Sequence, residues 1–183
     1  MKRVLTMLAL FSLALCTLAW SQEKQDKKAE EGMKHAPVAQ TAEWQQLKSL
    51  VGNWQGTVNE GGKEMPATVE VRMTGGGSAL MHWMAKDTPY EMVTMFHPDG
   101  PGKLLATHYC AAHNQPRMEM VKAPAPNQIA FRFKDGTNIG PGDGHMVGLV
   151  ITFIDANHHD EAWSYEDGGK ELPASVMHFT RKQ

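Results

Sequence analysis

From Gly52 almost to the C-terminus, apolar and polar residues alternate with a period of two. Ala67, Val69, Val71 and Met73 oppose Thr68, Glu70 and Arg72; Met118 and Met120 oppose Arg117 and Glu119; Ile129, Phe131 and Phe133 oppose Arg132. Successive strand residues point to opposite faces, so each run has one apolar and one wet face. Ten such runs are predicted as strands: 52–60, 65–74, 78–86, 90–97, 103–110, 115–122, 127–134, 145–155, 158–166 and 171–182. Gly61-Gly62, Asp99-Gly100 and Gly168-Gly169 supply turn conformations, while Pro124 and Pro126 interrupt pairing. The longest break, Asp135 to Gly144, is glycine-rich and placed to rim a cavity. No helical crossover separates the runs, so neighbours pair antiparallel. The expectation is an all-β chain: a single antiparallel up-and-down β-barrel of about ten strands, closed so that no edge is left open. A two-sheet sandwich is the alternative that the same pattern allows.

Upstream the period changes. Trp44, Leu47, Leu50 and Val51 fall on one face at helical spacing, with Thr41 placed to cap the start and Gly52 to stop the turn. This predicts a short amphipathic helix suited to plugging one barrel end. Residues 22–40 are charged and polar with little apolar periodicity, and read as a flexible lead. Residues 1–21 read as a signal peptide. Lys2 and Arg3 precede an apolar run from Leu5 to Leu18, and Ala19-Trp20-Ser21 offers small residues before a cut at Gln22. The run is short for a membrane span. An uncleaved anchor is the competing reading, and lipidation at Cys16 is disfavoured by the bulky Leu15 before it. Three segments follow: signal peptide 1–21, lead 22–40 and barrel domain 41–183. The expected location is periplasmic or secreted, with no stable membrane span after cleavage.

Cleavage would leave 16 basic against 20 acidic side chains, with no basic patch, so a nucleic-acid partner is not expected. It would leave one cysteine, Cys110, so no internal disulfide can form and the core must hold the fold.

Three groups of residues carry a resemblance. Gly52-Asn53-Trp54 follows the helix directly, and the last strand ends Phe179-Thr180-Arg181. In that order they resemble the calycin superfamily, the lipocalins and their relatives. The resemblance implies that the indole of Trp54 sits at the closed end, that Arg181 packs across it, and that the helix plugs that end. Guanidinium on indole gains about 0.5–2 kcal/mol. Thr107-His108-Tyr109-Cys110, Asn114-Gln115-Pro116-Arg117 and Gly144-His145-Met146 are similar to a group of mostly exported bacterial proteins without an established activity. The strand count is also similar to nitrobindin-type barrels, which hold haem through a histidine.

The leading functional expectation is a lipocalin-like barrel that takes a small apolar or amphipathic molecule into its cavity. Alternation alone proposes Val69, Val71, Met92, His108, Met118, Phe131 and Phe133 as its lining. Two alternatives stay open. One is a haem protein, with His178 on the last strand as first choice of iron ligand, or a metal protein in which His108, Cys110 and His113 supply nitrogen and sulfur donors. The thirteen methionines also include sets that resemble copper(I) ligands, Met81-His82-Trp83-Met84 and Met118-Glu119-Met120, although a methionine-rich core explains them as well. The other is an enzyme of unknown reaction. No nucleophile-elbow, zinc-protease or phosphate-loop motif is present, and Ser164 with His158 or His159 has no spacing that implies a triad. Asp160, Glu161, Glu166 and Asp167 read as a solvated cluster near a turn.

Overall fold

The computed structural model describes Val38 and residues 40–183 apart from Gly61. The expected signal peptide, Cys16 and most of the polar lead lie outside the described residues. Helix α1 (Ala42–Lys48) precedes strands β1 (Gly52–Glu60), β2 (Lys63–Thr74), β3 (Ala79–Met84), β4 (Met92–Pro98), β5 (Leu104–Tyr109) and β6 (Gln115–Val121). After them come β7 (Gln128–Thr137), β8 (His145–Phe153), β9 (His158–Asp167), the two-residue β10 (Lys170–Glu171) and β11 (Ser175–Arg181). Each strand from β1 to β9 pairs antiparallel with the next, β11 pairs with both β9 and β1, and the circle is complete. The fold is therefore an all-β, closed, ten-stranded antiparallel barrel with one short helix near its N-terminal side; β10 is a spur on the end of β9. A sandwich is excluded by that closure. Among the described residues no helix is long and apolar enough to cross a membrane.

The last predicted strand, 171–182, is broken in two. Pro173 has no backbone N–H to give to a ladder, so Leu172 to Ala174 leave the sheet before β11 begins at Ser175. Strand β7 runs further than expected, to Thr137, with a register shift against β6 at Arg117/Met118. A second shift, at Met146/Gly148 between β8 and β9, changes which residues of β8 face inward.

The helix end of the barrel is sealed by the first and last strands. Thr41 Oγ1 accepts from the Trp44 amide (3.2 Å) and caps α1. A seven-residue helix is marginal by itself, and packing holds this one: Trp44, Leu47 and Leu50 are buried in the same core as Trp54 and Phe179. Val38, expected in the polar lead, also packs against that core. Trp54 Nε1 donates to the Leu50 carbonyl (2.7 Å). Arg181 Cζ lies 4.1 Å from the Trp54 ring centroid. Its guanidinium donates to three carbonyls, those of Val51 (2.7 Å), Ser49 (2.8 Å) and Ala156 (3.0 Å). Gly52 is required here: its φ is 142°, and a Cβ would come within 2.5 Å of Arg181 Nη1.

Arg181→Ala removes the ring contact and leaves helix-end carbonyls without a donor, so it is expected to lower the unfolding free energy by about 2–4 kcal/mol. Arg181→Lys restores the charge but not the planar fork, and is expected to recover less than half of the loss. Urea denaturation followed by tryptophan emission measures both.

Candidate functional site

Strand β9 sends His159, Glu161, Trp163 and Tyr165 inward at period two. Glu161 is wholly buried. Its Oε1 accepts from His82 Nε2 (2.8 Å) and His159 Nε2 (3.1 Å), and its Oε2 accepts from Trp163 Nε1 (2.9 Å). Burial pushes this carboxyl's pKa up. The charge of His82 and the hydrogen bonds from His159 and His82 outweigh that effect and hold it well below the usual carboxylate range. Glu161 is therefore an acceptor only, which makes Nε2 the protonated nitrogen of both imidazoles facing it. Their other nitrogens, Nδ1 of His82 and of His159, are buried without a protein partner. His159 meets Trp54 edge-on, with centroids 4.3 Å apart, and stacks on Phe179 at 5.1 Å. The buried charge is thus built onto the sealed base.

At the other end of the barrel a cavity of about 260 Å³ opens between β3, β4, β5, β8, β9 and β11. Met84, Met92, Met146, Met177, Trp163 and Tyr165 form most of its wall. Leu172 and Pro173 border it from the segment that left the sheet, and Ser175 from the start of β11. That segment is tied down twice: the Leu172 amide donates to the Tyr165 carbonyl (2.8 Å), and Glu171 accepts two hydrogen bonds from Arg132 (2.8 Å each). Arg132 lies against Gly148 on the intervening strand, where a Cβ would come 3.0 Å from its Nη1.

His108 also lines the cavity, 1% exposed. Its Nδ1 is hydrogen-bonded to Thr94 Oγ1 (2.8 Å), and its Nε2 is buried with no partner in the protein. Burial, reinforced by nearby His82, lowers its pKa from 6.5 to about 4, so the ring is neutral at pH 7. Trp163 links the two layers: its N–H serves Glu161, and its ring lies 5.1 Å from the His108 ring.

Of the residues expected to line the cavity, Met92 and His108 do so. Val69, Val71, Met118 and Phe131 belong to the packed core instead. Phe133 is 36% exposed, at 4.6 Å from the His145 ring. Alternation identifies an inward face but not the level along the barrel at which packing stops. His178 is on the outer face, where its Nδ1 pairs with Asp160 Oδ1 (2.8 Å); the inward residues of β11 are Met177 and Phe179. It does not reach the cavity, so the haem assignment to His178 is corrected. The imidazole that faces the cavity is His108, and the room beside it falls below the roughly 300–1,000 Å³ of sites for drug-sized ligands.

The set of His108, Cys110 and His113 does not converge either. His108 points inside, Cys110 is half-buried just past the end of β5, and His113 is exposed in a turn with φ of 66°. Among the described residues no three His, Cys, Asp or Glu side chains form a metal-holding group. Glu161 was expected in a solvated cluster and is the most deeply buried acid among the described residues. The alternation His159, Glu161, Trp163, Tyr165 carried that signal, hidden by the acidic neighbours Asp160, Glu166 and Asp167. Ser164 faces outward toward Glu171 while His159 faces inward, so they form no nucleophile–base pair.

Together these features define a closed β-barrel with a polar, fully buried waist and a small end cavity. Solved structures are similar to it, two of them as follows. Rv2717c from M. tuberculosis superposes with a TM-score of 0.56 at 14% identity, over 78% of this chain and 99% of that one. A protein of unknown function from the DUF3598 family of Nostoc punctiforme superposes with a TM-score of 0.51 at 10% identity, over 80% of this chain and 51% of that one. At such identities the likeness is one of fold. No protein-family model matches the chain, and no curated protein matches it.

His108 gives stability a defined pH dependence. Unfolded, it takes up a proton as the pH falls through about 6.5; folded, it does so only near 4. Between those values the unfolded chain binds more protons, so acidification through this window removes up to about 3 kcal/mol of stability. Glu161 is depressed in the same direction, and its contribution is also lost on acidification, but only further into acid. Unfolding free energies of the wild type and His108→Gln from pH 7 to pH 4 are expected to converge as the pH drops.

Proposed function

We propose that this protein binds a small apolar or amphipathic molecule, smaller than a typical drug, in the cavity beside His108. The supporting observation is a small cavity walled mainly by four methionines and two aromatic rings, with the buried His108 imidazole beside them. Adaptable methionine side chains suit a variable apolar occupant, and a single polar group orients it. The neutral ring offers no charge, which favours an uncharged occupant over a carboxylate. Binding therefore needs no chemistry from the barrel. The N-terminal pattern, Lys2 and Arg3 before an apolar run, supports a periplasmic or secreted location for this activity.

Native mass spectrometry of the protein taken from its own host is expected to show a bound small molecule. A titration of ¹³C-methyl-methionine-labelled protein with phenol is expected to move the resonances of Met84, Met92, Met146 and Met177. Met92→Trp fills the cavity and is expected to weaken phenol binding at least tenfold, about 1.4 kcal/mol. An absent adduct together with unmoved methionine resonances would defeat the reading.

A further inference from the structure

A single stretch of chain separates the cavity from a surface groove of about 630 Å³. Pro173, Ser175 and Met177 line the cavity, and Ala174, Val176 and His178, in alternation with them, line the groove beside Thr57 and Asn59. This stretch is paired on one edge only. Its ladder with β9 runs to Ser175, whereas its ladder with β1 stops at Val58 and Met177, although β1 continues to Glu60. Strand β2 in turn pairs with β3 only from Val69 onward, so among the described residues the hairpin tip 59–64 has no paired strand on either side. Leu172 and Pro173 are the exposed members of the cavity wall; its other residues are buried or half-buried. From Glu171, opposite Glu166, to Ser175, opposite Trp163, the chain takes four steps against three on β9, so it bulges by one residue. Pro173 gives the bulge no N–H. The Leu172 amide on the Tyr165 carbonyl and the Arg132 fork on Glu171 hold it in place.

We propose that the seam between β1 and β11, beyond Val58 and Met177, is the portal to the cavity, with the 172–174 bulge as the strap across it and the Arg132–Glu171 fork as its latch. The inference rests on the binding reading above for its cargo, and adds the route of entry and what controls it. Moving the strap breaks one backbone hydrogen bond and one half-exposed ion pair, and such pairs are worth little in water. Opening a paired seam would instead break ladder bonds along two strands. Elements that admit ligands are drawn from the least stable parts of a fold, and this stretch has the fewest bonds to lose. Its lip is apolar where it meets solvent: Leu172 is 40% exposed and Val176 38%. That suits the passage of a small uncharged molecule, which leaves little polar surface to desolvate on the way in.

The test times access to the cavity without relying on a bound ligand. In Cys110→Ser protein a thiol is placed on the cavity wall, as Met92→Cys or, in a second reporter, as Met146→Cys, and its labelling by methyl methanethiosulfonate is followed by mass spectrometry. Two further substitutions lie off the wall. Glu171→Gln weakens the latch and is expected to speed labelling by about fivefold or more. Val176→Trp fills the groove outside the seam and is expected to slow it by about fivefold or more. Asp135→Asn breaks the exposed fork with Arg117 on the β6–β7 pair, and is expected to leave the rate within about twofold. Phenol association and dissociation are expected to follow the labelling rates with Kd unchanged, because a portal alters the barrier and not the bound state. Labelling unmoved by Glu171→Gln or by Val176→Trp in both reporters, or moved as much by Asp135→Asn, overturns the portal whatever phenol does. Labelling that responds as expected in a protein that binds no phenol would sink the organic ligand and leave the portal standing.

Discussion

The guanidinium of Arg181 ties four separate parts of the chain into one base. It lies on the indole of Trp54, which is its direct partner across the β11–β1 pair. It donates to carbonyls just after α1 and to another in the β8–β9 turn. The carbonyls of Ser49 and Val51 sit where the helix ends and the first strand starts, and they have no partner within the helix. One side chain thus joins the two ends of the meander, seats the helix and sets the register that closes the sheet.

The sealed base is what permits a buried carboxylate halfway up the barrel. An ionised Glu161 survives there because three N–H groups converge on it. Such an arrangement is poor evidence for stability as such, because desolvation offsets much of the attraction. It does fix orientation. Glu161 holds the Trp163 indole, and that indole is both the upper edge of the polar waist and part of the cavity wall. The geometry beside His108 therefore depends on a charge that never touches the cavity's contents. On the outside, Arg132 reaches across Gly148 to Glu171 and pins the start of the segment that borders the mouth. Base, waist and mouth are each fixed by a charged residue whose hydrogen bonds cross strand boundaries.

Much of this was readable along the chain. Period-two alternation located ten strands within a few residues, because a barrel strand must show one face to the core and one to water. The exceptions are physical. Pro173 ends a strand where apolar character continues, and the register shift at Met146/Gly148 turns the side of β8 that alternation would assign. Faces were harder where both were polar. Glu161 lies on a strand rich in charge, so its pattern did not say which side was wet, and His178 was placed inside against the apolar Met177 and Phe179 opposite it; the ladder puts His178 outside with Asp160 and Glu161 inside with His82.

By itself the sequence determined the elements and their antiparallel order, because these follow from local periodicity and turn chemistry; that Trp54 and Arg181 meet at the base was implied by a resemblance and not by any local pattern. Only the tertiary structure decided which inward residues are packed and which border empty space. It also decided that three nitrogens from two distant strands meet on one carboxylate, and that His108 keeps a free nitrogen among methionines. Those facts depend on the level each residue reaches along a closed, tilted barrel. That level is set by register and closure together, and no single strand contains it.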